Sequence, residues 1–104
     1  MAVTLSVNEP LDVVNLVTAN ICTELTWSGR HPRSVTLNWR GNAGGYDFNG
    51  TEGGPLSEGT RIDVDSDSPY VVVIRSGQAR NLHRTSLFIE SDVADTDVGI
   101  AVEW

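Results

Sequence analysis

Apolar and polar residues alternate with a period of two along most of this chain, the pattern of strands with one buried face. Val3, Leu5 and Val7 alternate with Thr4 and Ser6 and predict a first strand, broken by Asn8-Glu9-Pro10. The segment from Leu11 to Thr18 admits two readings. Pro10 suits a helix N-terminus, but the β-branched Val13, Val14 and Val17 favour a strand, which is the reading adopted. Thr23, Leu25 and Trp27 alternate with Glu24 and Thr26. After the turn Ser28-Gly29-Arg30-His31-Pro32, Val35, Leu37 and Trp39 alternate with Thr36, Asn38 and Arg40. These two segments read as a hairpin with one core-facing side.

The longest apolar run is Tyr70-Val71-Val72-Val73-Ile74-Arg75-Ser76, between Pro69 and Gly77. It is apolar on both faces, short and rich in Val and Ile. That predicts a central strand covered on both sides rather than a buried helix. Ile62 and Val64 alternate with Arg61, Asp63 and Asp65, and Leu87 and Ile89 with Ser86, Phe88 and Glu90. Val98, Ile100, Val102 and Trp104 close the chain in strict alternation, so the C-terminus is expected to be a packed strand. Between the strands lies a long irregular region, 41–59, holding seven of the ten glycines and broken by bulk only at Tyr46-Asp47-Phe48. Loops this long usually carry function or are ordered by a partner. About eight short antiparallel strands with turn signals between them predict one all-β domain spanning 1–104, a β-sandwich or jelly roll.

Composition narrows the partners. A chain of 104 residues at 39% hydrophobic content supports one core. A net charge of −7 argues against nucleic-acid backbone and anionic membranes as partners. All seven basic residues are Arg and Lys is absent. Arg is favoured in protein interfaces for its bidentate fork. Arg30, His31, Arg33 and Arg40 cluster in one segment, and Arg75, Arg80, His83 and Arg84 in another. Glu52, Glu58, Asp63, Asp65 and Asp67 form an acidic group, as do Glu90, Asp92, Asp95 and Asp97. Segregated patches suit contacts between copies or with a lattice. With no basic, apolar leader in view, synthesis in the cytoplasm is the expectation.

Candidate chemistry is sparse. Cys22, His31, His83 and several Asp are the right types for a Cys-His-Asp site, but no local signature joins them, and Cys22 at a strand start reads as a buried thiol. Asp63-Val64-Asp65-Ser66-Asp67 spaces carboxylates like the start of a calcium loop, without the sixth-position Gly or the distal Glu. No enzyme activity, metal or cofactor is expected. A glycan-binding module is the rival reading, since β-sandwiches often bind sugars on exposed aromatic platforms. Trp27, Trp39 and Trp104 are in phase with core positions, which leaves Tyr46, Phe48 and Phe88 for such a platform.

The opening Val3-Thr4-Leu5-Ser6-Val7-Asn8-Glu9-Pro10-Leu11-Asp12-Val13-Val14, the later Gly54-Pro55-Leu56-Ser57-Glu58-Gly59-Thr60 and the Tyr70–Ser76 run together resemble small all-β virion proteins of tailed phages, of the capsid decoration (cement) or head-fibre-base type. The resemblance implies a non-enzymatic structural protein on the outside of a capsid. It would contact the major capsid protein or another virion protein, commonly as a dimer or trimer. On that reading Arg30, Arg33 and Arg40 are expected to pair with partner carboxylates, and Tyr46 and Phe48 to anchor in partner pockets.

Overall fold

The computed structural model describes residues 3–6, 12–28, 32–64, 70–73 and 86–104. Across these residues the chain is all-β, without a helix, and forms nine strands. They are β1 (Val3–Ser6), β2 (Val13–Leu16), β3 (Thr23–Ser28), β4 (Ser34–Asn38), β5 (Gly44–Asp47), β6 (Ile62–Val64), β7 (Tyr70–Val73), β8 (Ser86–Ser91) and β9 (Thr96–Glu103).

The strands sort into two sheets, of order β1-β3-β8-β5-β6 and β2-β9-β4-β7. Four antiparallel pairs are nested in sequence: β2 with β9, β3 with β8, β4 with β7 and β5 with β6. Two further antiparallel contacts, β4 with β9 and β5 with β8, join these pairs side by side. The four-stranded sheet is therefore antiparallel throughout. The five-stranded sheet is mixed, because β1 lies parallel to β3 with Val3 opposite Leu25 and Leu5 opposite Trp27.

The period-two pattern does what it predicted. Leu5, Leu25, Leu87, Ile89 and Val64 from one sheet and Val14, Leu16, Val35, Leu37, Val98 and Ile100 from the other meet in one buried cluster with Trp39. Trp27 and Trp104 pack against its margin. Full burial of each such aliphatic side chain contributes about 1.5–3 kcal/mol. Trp39 also ties the sheets together. Its indole Nε1–H, carried just past β4, donates to the Glu90 carbonyl on β8 at 2.8 Å.

Four expectations fail for identifiable reasons. The two segments Thr23–Trp27 and Val35–Trp39 form β3 and β4, the latter ending at Asn38, but these lie in different sheets and do not form a hairpin. A turn signal marks a reversal and is silent on whether the chain stays in its sheet. The Tyr70–Ser76 run is not central among the described strands. Its described part, β7, is the outermost strand of its sheet and pairs only with β4 among the described strands. Residues 74–76 lie outside the described residues. The 41–59 region is not one loop, since β5 lies inside it, between β8 and β6. Gly44 and Gly45 hide that strand from a propensity reading, because glycine weakens strands on average and is used where another group approaches closely. Not all pairings are antiparallel, as β1 and β3 show.

Candidate functional site

The outer face of the five-stranded sheet is where polar chemistry concentrates. Alternation places Asp47, Phe88, Glu90, Gly45 and Asp63 on that face, opposite the core residues of β5, β6 and β8. Phe88 and Glu90 are nonetheless buried, at 7% and 3% exposure. What covers them is the segment between β5 and β6, which folds back over the sheet as a strap. Leu56 packs with Phe88 and Cys22 in a second apolar cluster. The strap pairs with residue 22 through backbone bonds: Cys22 N–H donates to Gly54 O (2.8 Å) and Gly53 N–H to Cys22 O (3.2 Å). Gly53 adopts φ +82°, open to glycine at little cost. Two buried carboxylates fasten the strap's ends and middle. Asp47 accepts from Asn49 N–H (3.1 Å) and Thr60 Oγ1–H (2.6 Å), and Glu90 Oε1 accepts from Leu56 N–H (2.8 Å).

Arg61, at the end of the strap, is the clasp. Its Nη1 pairs with Glu90 Oε2, its Nε donates to Asp63 Oδ1 (2.8 Å), and its Nη2 donates to Asp92 Oδ1 and to Gly44 O (both 3.0 Å). The guanidinium and its stem lie directly over Gly45, where a Cβ would fall 2.8 Å from Arg61 Cδ. Burial works against the charge of Arg61. The hydrogen bonds that Arg61 donates to Asp63, Asp92 and Glu90 outweigh it and hold the group above the ordinary arginine range. A planar fork with five donors is suited to this many simultaneous acceptors, and a lysine is not. Burial pushes the Cys22 thiol up, and the charge of Glu52 adds to that. The thiol donates to Thr51 O at 3.1 Å. Cys22 is thus a protonated, covered group at neutral pH rather than a nucleophile. The chemistry of this face is closure: every group of the clasp is used to hold the strap down.

The residues expected to form an interface fare differently. Tyr46 and Phe48 pack partly buried against the main core and are not free anchors. Tyr46 points inward because it sits opposite Ile89 and Ile62 in register. Phe88, the third candidate for an aromatic platform, is buried under the strap. The expected acidic group at 90–97 is not a uniform patch, since Arg61 sits between Glu90 and Asp92. No local spacing in the sequence joins residue 61 to residues 90 and 92; only the adjacency of β5, β6 and β8 does. Glycines at 44 and 45, read as loop residues, were the available signal of a close approach.

Arg33 and Arg40 remain exposed, and neither makes an ion pair among the described residues. Arg40 is placed by its backbone. It has φ +53° and Gly41 φ +91°, in a tight turn closed by Asn42 N–H to Trp39 O (3.2 Å). The Asn38 side chain accepts Arg40 N–H at 2.8 Å and stabilises that left-handed conformation. The Arg40 side chain then lies over Gly99 of β9, on the outer face of the four-stranded sheet, 3.4 Å from where a Cβ would sit. Arg30 lies outside the described residues. Among the described residues no group of His, Cys, Asp and Glu converges to hold a metal ion, and no helix is long and apolar enough to cross a membrane. No family model, curated protein or solved structure matches the chain.

Proposed function

We propose that the chain is a non-enzymatic structural virion protein, a jelly-roll module that decorates the capsid surface and reinforces it through protein–protein contacts. The observation that carries the reading is the strand order. The nested pairs β2/β9, β3/β8, β4/β7 and β5/β6 are what results when one long antiparallel ribbon is wrapped into two sheets, and the contacts β4/β9 and β5/β8 close the wrap. On this reading the order corresponds to the plan of a jelly roll, an architecture used by viral capsid and lectin domains. β1 is an additional strand laid on the edge at β3.

The lectin alternative loses its support at the aromatic residues. A sugar platform needs a ring with an open face, and Tyr46, Phe48 and Phe88 are all engaged with apolar clusters. The structural reading keeps its arginines. With the other sheet covered by the strap, the four-stranded sheet and its ends offer Arg33 and Arg40 to carboxylates of the major capsid protein or another virion protein. Charge-assisted bidentate pairs of this kind give specificity and rapid encounter.

The test is cosedimentation with shells assembled from the major capsid protein encoded in the same genome. The wild-type chain should pellet saturably with the shells. Arg33→Glu with Arg40→Glu should abolish pelleting at unchanged melting temperature. Absence of wild-type binding to shells, with binding to a glycan array instead, would install the lectin reading.

A further inference from the structure

Among the described residues β2 has one strand neighbour, β9, and no described strand lies on its other side. Proteins usually guard such edges with Lys, Pro or an inward charge. Val13-Val14-Asn15-Leu16-Val17 carries none of these. Val17, just past the strand, is 70% exposed, well above Val93 (48%) and Ile62 (45%). Along the same edge Val3, Val13, Leu16, Val17 and Ile21 line an open apolar groove of about 400 Å³.

We propose that this edge pairs with the same edge of a second copy, antiparallel about a two-fold axis at Asn15, so that two four-stranded sheets become one of eight strands. The segment is self-complementary. With Asn15 opposite the partner's Asn15, Val14 meets the partner's Leu16 and the exposed Val17 meets the partner's Val13. Every apolar residue gains an apolar partner, and the amides face each other. A shift of two residues would set Val13 against the partner's Asn15. A shift of one would turn the buried set to the wrong face. Cross-strand pairs of this kind are the unit of sheet stabilisation.

The acidic residues nearby do not forbid the pairing. Asp95 and Asp97 accept from Asn15 Nδ2 at 3.0 and 2.8 Å. Asp97 lies on β9, so its carboxylate and that of the partner's Asp97 are separated by three strand spacings, roughly 14 Å. That exceeds the Debye length of ≈8 Å at physiological salt. The dimer should therefore weaken as salt is lowered.

The pairing is independent of what the module binds on a shell, so the mass measurement and the cosedimentation above can fail separately. The experiment is light scattering after size-exclusion chromatography over a concentration series. Wild type should approach twice the 11.3 kDa chain mass. Val17→Glu should stay at the chain mass, and Val93→Glu, on the β8–β9 turn, should behave as wild type. Because paired residues lie about 4.5–5.5 Å apart at Cα, Asn15→Cys should oxidise readily to a covalent dimer. A wild-type monomer throughout, a trimer, a dimer indifferent to Val17→Glu, or Asn15→Cys that fails to cross-link each overturns the proposal.

Discussion

Gly44→Ala tests the reason for glycine inside β5. Gly44 pairs with Ser91 and Val64, residues on the core side of their strands, so a Cβ there would point into the core. It would meet the Trp39 indole Nε1 and the Glu90 carbonyl oxygen, with Trp39 Cδ1 at 2.7 Å. One of these is backbone of the neighbouring strand and the other is a ring at 1% exposure, so neither can swing aside. Overpacking of this kind costs about 1–3 kcal/mol. Displacing Trp39 also breaks its bond to Glu90 O (2.8 Å) and leaves a buried N–H unsatisfied, a further ~1–3 kcal/mol. Alanine returns about 0.4–1 kcal/mol through the unfolded chain. The net is about 3 kcal/mol, or about 12–24 °C in Tm for a domain of this size.

Gly45→Ala is the internal control, one residue away. The three atoms nearest its Cβ all belong to the Arg61 side chain, with Cγ and Cδ at 2.8 Å, so a side chain rather than strand backbone and a core ring must shift. A loss of about 1 kcal/mol is expected there, as the clasp loosens. Urea unfolding followed by tryptophan fluorescence measures both. Equal losses for the two variants, or a Gly44→Ala loss under ~1 kcal/mol, would refute the packing argument.

Two further outcomes follow from the outer face. Arg61→Ala leaves the Glu90 carboxylate, 3% exposed, without its cation. Breaking a buried pair costs about 3–5 kcal/mol, and with Arg61 itself 13% exposed a loss of about 2–3 kcal/mol is expected. A double-mutant cycle with Glu90→Gln should show coupling of about 1 kcal/mol or more, and additive losses would deny the clasp. Burial raises the Cys22 thiol above its ordinary value, so the folded state holds its proton more tightly than the unfolded chain does. That contribution is fully present below the unfolded thiol value of about 8.5. It is lost as pH rises through the higher folded value, so stability should fall in that alkaline window. Cys22→Ala should flatten the fall, and parallel pH profiles of Tm for the two proteins would show that the thiol plays no part.

Much of the secondary structure was legible because a half-buried strand writes its period directly into the chain. β1, β3, β4, β8 and β9 can each be read off alternating residues, and the inward phase of Trp39 follows from Val35 and Leu37. β5 was illegible because its two glycines answer to neighbours far away in sequence, Trp39 and Glu90 on one face and Arg61 on the other. For the same reason the strap has the sequence of a free loop. Its anchors, Cys22, Phe88 and Glu90, lie far from Leu56 in sequence (34 residues for Leu56–Glu90), and Phe88 and Glu90 are strand residues whose own alternation points them to solvent. Of the interface candidates, Arg33 and Arg40 keep their exposure, whereas Tyr46 and Phe48 belong to the core margin.

The sequence by itself determined that the chain is all-β, which residues of most strands face inward, and that Cys22 would be a covered thiol. These follow from local periodicity and from the cost of leaving apolar surface in water. Only the tertiary structure decided which strand lies beside which. A strand's pattern records which of its faces is buried and not what buries it. β3 and β4 therefore part into different sheets, and β7 comes last in its sheet among the described strands despite its apolar sequence. Arg61 reaches Glu90 and Asp92 only because β5, lying between β6 and β8, carries glycine at the crossing point.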